Sequence, residues 1–225
     1  MATGKFCYEH AHPAVTTDVV LFTIREQHLK VLLIERAATP FAGSWALPGG
    51  FLEIDEDLEA CAQRELEEET GIRDVYLEQL YTFGRPDRDP RERVVSVVYY
   101  ALVPADRLHP RAASDAVQTS WFAVDALPRL AFDHQEVIHM AHRRLLAKLE
   151  YSTIAFRFLP QTFTLGELQQ VYETLRGEAV DKRNFRKWVL ALDQIEETGE
   201  LRRTGVHRPA RVYRPKNREQ VEILR

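Results

Sequence analysis

The sequence predicts an α+β chain in two unequal parts: strands and helices over residues 1–150, then a small helix-turn-helix unit with a β-hairpin over residues 151–225. Three observations carry this. In the first part, β-rich runs surround one strongly marked helix. In the second, two amphipathic helices are separated by a short turn. Between them the charge changes sign: 16 Lys and Arg face 24 Asp and Glu up to residue 150, and 14 face 10 beyond it. The formal net charge of −4 therefore hides an acidic front and a basic back. Such asymmetry points to different partners for the two parts, with nucleic acid a candidate for the second.

After a polar leader, residues 15–24 and 29–34 are β-rich and read as a hairpin turning at Arg25-Glu26-Gln27-His28. Residues 75–83 and 93–103 are two further strands, joined by a loop crowded with Arg85, Asp87, Arg88, Asp89, Arg91 and two prolines. Between the strand pairs lies residues 50–72. This stretch follows Leu47-Pro48-Gly49, opens with Asp55, Glu56 and Asp57 and stops at Gly71. Acids suit the positive end of a helix dipole and glycine the left-handed position past its end, so a loop, a helix and a C-cap are expected. Leu58 and Ala62 set an apolar face, and continuing their spacing lands on Glu65 and Glu69, with Glu68 to one side. Carboxylates this close repel and are costly to bury without a cation. Hard divalent ions take such oxygen ligands, often one or two carboxylates plus phosphate oxygens; an acidic, solvated face is the competing reading.

Residues 115–128 supply a late strand and turn, and residues 131–149 a helix with Val137, Ile138, Ala141, Leu145 and Leu149 in helical spacing. His134, His139 and His142 lack the helical zinc spacing and read as surface or internally satisfied histidines. Residues 151–161 are the expected joint. Thr164 and Glu167 then form a capping box for a helix with Leu165, Leu168, Val171, Tyr172 and Leu175 on one side, ended by Gly177. Asp181 is a suitable N-cap for a second helix that packs through Phe185, Trp188, Val189 and Leu192. Lys182, Arg183, Asn184, Arg186 and Lys187 stand away from that side, where a helix-turn-helix presents bases or phosphates with its partners. Residues 199–214 alternate like a hairpin, offering Arg203, His207, Arg208 and Arg211 to phosphate or the minor groove. Only Cys7 and Cys61 are present, so neither a disulfide framework nor a cysteine metal site is indicated. With no apolar leader and no run long enough for a membrane span, the expected setting is the reducing cytoplasm.

The pattern Gly50-x5-Glu56-x7-Arg64-Glu65-Leu66-x-Glu68-Glu69-x-Gly71-Ile72 resembles the Nudix box, with every defining position filled. The resemblance implies an α-β-α sandwich, a mixed sheet between helices, and a divalent ion, Mg2+ (or Mn2+), held by Glu65, Glu68, Glu69 and the Gly50 carbonyl. It implies that Arg64 orients the glutamates together with Glu56. Catalysis would fall to Glu65, Arg64 and Glu69, with Glu65 as base and Asp115 or Asp106 as alternatives. Nudix proteins border the ligand cleft with the loop that carries Arg36 and Trp45. Pro86, fifteen residues beyond Gly71, resembles the arrangement in Nudix enzymes acting on ADP-ribose, with Arg85 or Arg88 near the ligand.

A Nudix domain followed by a winged helix resembles the Nudix-related transcriptional regulators, the NrtR family. The loop Asp87-Arg88-Asp89-Pro90-Arg91 and the stretch from Arg208 to Arg214 strengthen the likeness. The resemblance implies a regulator, acting as a homodimer on double-stranded DNA, that binds ADP-ribose or a related nucleoside diphosphate compound. Since many members have lost parts of the box and this chain has lost none, it also implies Mg-dependent hydrolysis. The alternative is a metabolic ADP-ribose or nucleoside-diphosphate pyrophosphatase whose C-terminal module serves dimerisation.

Overall fold

The computed structural model describes residues 9–107, 118–203 and 209–224. His207, Arg208 and the alternative base Asp115 lie outside these residues.

Strands β1 (Ala14–Arg25) and β2 (His28–Glu35) form the expected hairpin, closed by Glu26 and Gln27, both with positive φ. Two short strands missed by periodicity, β3 (Trp45–Ala46) and β4 (Gly49–Phe51), follow in the glycine loop. Strands of two and three residues are too brief to display a period of two. Helix α1 (Leu58–Thr70) is capped by the Asp57 carboxylate, which accepts from the Ala60 N–H, and ends at Gly71 with φ 69°. Its buried stripe differs from the expected one. Ala62, Leu66 and Thr70 continue inward, while Glu65 and Glu69 flank the stripe half-buried, because an i, i+4 step from Ala62 reaches Leu66.

Strands β5 (Tyr76–Phe83), β6 (Val94–Leu102) and β7 (Thr119–Ala123) complete a seven-stranded sheet. The path runs β3-β2-β1-β6-β5, with β4 on β1 and β7 on β2. Among the described strands of this sheet only β1 and β6 pair in parallel, so the sheet is mixed. Alternate residues of β1 face opposite ways. Val19 and Leu21 pack under Ala62 and Leu66 of α1, whereas Val20 and Phe22 pack with Val137, Ile138, Ala141 and Leu145 of α2 (His134–Tyr151). This is the sandwich of a sheet between helices.

The segment after α2 is a packed 3-10 turn, Thr153–Phe158, that buries Ile154, Ala155 and Phe158. Its Arg157 lies over the Tyr76 ring, 4.7 Å from the centroid. Next come β8 (Phe163–Thr164), α3 (Leu165–Arg176) with the full Thr164–Glu167 capping box, and α4 (Lys182–Ala191) capped by Asp181. Strands β9 (Ile195–Arg202) and β10 (Ala210–Pro215) join β8 in a second antiparallel sheet, the wing of a winged helix. The core of this module is continuous with the α2 face of the first: Leu149, Leu168, Leu175, Phe185 and Val189 belong to one buried cluster. Among the described residues no helix is long and apolar enough to cross a membrane.

Candidate functional site

The site begins with the two glycines. In β4, Gly49 pairs with Asp18 and Gly50 with Thr17 of β1, and the strand lies alongside α1, with Gly50 against Glu65 and Gly49 against Glu69. A Cβ on Gly50 would stand 2.2 Å from Glu65 Oε1, and one on Gly49 the same distance from the Thr17 carbonyl oxygen. Only hydrogen atoms fit there, so the Glu65 carboxylate rests directly on the Gly50 backbone.

Arg64 gathers the acids around it. Its Nε and Nη2 donate to the two oxygens of Glu56 at 2.8 and 2.9 Å, and its Nη1 donates to Glu65 at 2.7 Å and Glu68 at 3.3 Å. The fork on Glu56 is bidentate, the strongest geometry open to a guanidinium. It holds the Glu56 carboxyl down at about 2, and the same bonds push Arg64 up. Glu69 is treated differently: it accepts from the Gly49 N–H at 2.8 Å. Burial, opposed by that bond and reinforced by the charges of Glu65 and Asp18, raises its carboxyl to about 7.

Beside these acids opens a solvent-facing cleft. Gly49, Gly50, Asp18, Arg36, Arg88, Arg91, Phe51, Phe132 and His134 line it. Arg36 donates to the Pro40 carbonyl at 3.0 Å and lies over the Phe132 ring, 4.8 Å from its centroid; Arg91 lies over Phe51 and is clamped by Asp89. Burial, aided by the charge of Arg91, lowers the pKa of Arg36. At the floor Arg88 is buried, its Nε and Nη2 donating to Asp133 at 3.1 and 2.8 Å. His134 is buried, accepts the Leu47 N–H on Nδ1 at 2.9 Å, and has its pKa pushed down by burial.

Of the residues singled out from sequence, the structure brings Gly50, Glu65, Glu69, Arg64, Arg36 and Arg88 to this end of the sheet, with Glu68 exposed on the outer side. It does not bring Trp45, whose indole packs edge-on to Phe122 away from the cleft lining. Arg85 is exposed and reaches toward Asp87 and Glu136, also outside the lining. Asp106 is exposed in the short turn Ala105–Arg107. Asp18, Asp89, Arg91, Phe51, Phe132 and His134 line the cleft but escaped the sequence reading as site residues. A signal existed for Asp18, the single charge inside the apolar run 15–24.

On the second module, Lys182, Arg183, Asn184, Arg186 and Lys187 are all exposed on α4. None of the four cations makes an ion pair among the described residues. Asn184 lies on the other flank, beside Trp188 in a hollow with Tyr172 and Phe185. Trp188, expected to pack inward, is exposed and contacts Tyr172 and Phe185 edge to face or tilted. In the wing Arg203 is exposed, whereas Arg211 is paired with Glu197 at 2.8 Å.

The NUDIX domain pattern matches residues 13–141, and the NrtR DNA-binding winged helix domain matches residues 155–214. The ADPR responsive transcriptional repressor NtrR of Acinetobacter baylyi is 36% identical over 210 residues, 92% of this chain and 83% of that one. The ADP-ribose pyrophosphatase of Methanocaldococcus jannaschii is 41% identical over 129 residues, 57% of this chain and 73% of its own. The crystal structure of Shewanella oneidensis NrtR complexed with a 27mer DNA superposes with a TM-score of 0.81 at 40% identity, covering 90% of this chain and 93% of that chain.

Proposed function

Because this chain belongs to the NrtR family, Nudix domains joined to a DNA-binding winged helix, we propose that it is a transcriptional repressor controlled by ADP-ribose or a related nucleoside diphosphate compound. The ligand occupies the Nudix cleft and DNA meets the winged helix. The protein acts in the cytoplasm as a homodimer, since winged-helix regulators read paired half-sites. Residues 1–150 form the ligand domain and residues 151–225 the DNA domain. One observation carries the reading: an exposed helix bearing four cations without an ion pair among the described residues shares a continuous buried core with a cleft rimmed by Arg36 and Arg91.

On this reading Lys182, Arg183, Arg186 and Lys187 meet the operator, Asn184 reads an adjacent base, and Arg203, His207, Arg208 and Arg211 hold phosphates from the wing. In the cleft, Arg36, Arg88 and Arg91 offset the diphosphate charge.

Hydrolysis is retained alongside binding. The relative from M. jannaschii is named a pyrophosphatase, and every box glutamate is in place here. Mg2+ (or Mn2+) would be held by Glu65, Glu68, Glu69 and the Gly50 carbonyl. The donors are hard oxygens of the right chemistry, although among the described residues no three acids already converge on one point. Arg64 presently holds Glu65 and Glu68, so phosphate oxygens would have to complete the ligand shell. When bound, the ion would supply polarisation of the phosphate oxygens and a more acidic water. Glu65, pinned between Gly50 and Arg64, receives the proton of the attacking water on its carboxylate. Arg64 keeps that carboxylate aimed, and Gly49 fixes Glu69.

A gel-shift titration of the promoter beside its own gene, with and without ADP-ribose, tests the reading when products are analysed in the same samples. Specific binding that ADP-ribose weakens is expected, with AMP and ribose 5-phosphate appearing only in the presence of Mg2+. No binding, or binding indifferent to the ligand, would overturn the regulatory reading.

A further inference from the structure

Asp133 occupies the N-cap position of α2, yet its carboxylate makes no cap bond and its backbone (φ −95°, ψ 17°) lies outside the extended region usual for cap residues. Both carboxylate oxygens are instead taken by Arg88 of the loop between β5 and β6. The same guanidinium stands 3.5 Å from Asp18, which also accepts from Ser96 and lies 3.7 Å from His134 Nε2. Arg88 lines the cleft while Asp133 lies behind it, outside the lining. A cleft ligand therefore meets Arg88 on one side while the start of α2 holds it on the other.

The far end of α2 reaches the DNA-facing module. Eighteen residues make a helix about 27 Å long. At its end Glu150 accepts from Arg176 of α3 at 2.8 and 3.0 Å, and Leu145 and Leu149 share one core with Phe185 and Val189 of α4.

We propose that the Arg88–Asp133 pair relays cleft occupancy to the DNA-binding helix: a diphosphate in the cleft competes for Arg88, and the released Asp133 caps α2, reseating that helix and α4 with it. The relay rests on the reading of the cleft as a nucleoside diphosphate site. Its chemistry is balanced. A guanidinium grips phosphate with the same fork that grips carboxylate, and aspartate is among the best N-caps. Arg88 keeps an anionic partner in each arrangement, Asp133 exchanges it for helix N–H donors, and Asp18 keeps the Ser96 hydroxyl. The ligand gains Arg88 in one arrangement only, which is the differential affinity that control requires.

The test uses the full chain, with DNA affinity measured at fixed salt with and without ADP-ribose and ligand binding followed by calorimetry. Wild type is expected to lose DNA affinity by roughly 5- to 150-fold on adding ligand, the usual span of allosteric coupling. Asp133→Asn loses the charge that holds Arg88, and Asp133→Ser is too short to reach it but caps a helix well. Both variants should bind DNA weakly without ligand, still bind ADP-ribose, and respond to it by less than about twofold. The serine variant, checked by circular dichroism, keeps the test open if the asparagine one does not fold. A wild-type response in a folded variant, or loss of ADP-ribose binding in it, overturns the relay alone. Indifference of the wild type itself to ADP-ribose overturns the proposed function and the relay together.

Discussion

Replacing Gly50 by alanine tests whether the Glu65 carboxylate must lie where the structure places it. The added Cβ would stand 2.2 Å from Oε1, 2.4 Å from Cδ and 2.7 Å from Oε2, whereas ordinary contact begins at 3.4 Å. The carboxylate must therefore retreat by more than 1 Å, and a misplacement of that size costs about 10²-fold in rate. The cost to folding is small, because the obstructing group is the end of a flexible side chain. A change within about 0.5 kcal/mol of wild type is expected. Gly49→Ala is the contrast. There the Cβ meets the Thr17 carbonyl at 2.2 Å and the Asp18 Cα at 2.8 Å, both backbone atoms of the paired strand. Opening that pairing should cost about 1–3 kcal/mol, as overpacking generally does. The assay is Mg-dependent ADP-ribose hydrolysis beside a thermal melt for each variant. Wild-type kcat/KM in Gly50→Ala, or equal melting losses in the two variants, would refute the reasoning.

Two further predictions concern charge. Neutralising Arg183 or Lys187 should lower the slope of log affinity against log salt by about 0.9 per lost phosphate contact, and reversing both should abolish DNA binding. Arg211→Ala should do less, since Glu197 already engages that guanidinium; a larger loss than for Arg183 would contradict this. Glu69, raised to about 7 from an ordinary 4.5, keeps in the folded chain a proton that the unfolded chain has released between those values. Its contribution to stability is full below pH 4.5 and is lost as pH rises through 7. Metal binding needs the carboxylate, so Mn2+ affinity should rise about tenfold from pH 6 to pH 8. Glu69→Gln should flatten that rise and remove hydrolysis; a pH profile unchanged in the variant would assign the proton elsewhere.

The sequence by itself determined whatever is encoded locally. The acids before Leu58, the glycine after Thr70, the capping box at Thr164 and Glu167, and the basic residues following Asp181 all lie within a few positions of what they act upon, so spacing alone exposes them. The same locality made the box legible. Tertiary structure decided the rest, because its partners are distant in the chain. Asp18 meets Ser96, Arg88 and His134 only when β1 lies parallel to β6 and α2 begins beneath them. Arg88 and Asp133 are forty-five positions apart, and nothing in a charged loop tells which of its arginines is drawn inside and which, like Arg85, stays in solvent. Pairing also separates the basic residues of the second module. Arg211 has an acidic partner across the wing, while among the described residues the α4 cations make no ion pair and Asp181, just before them, caps the helix.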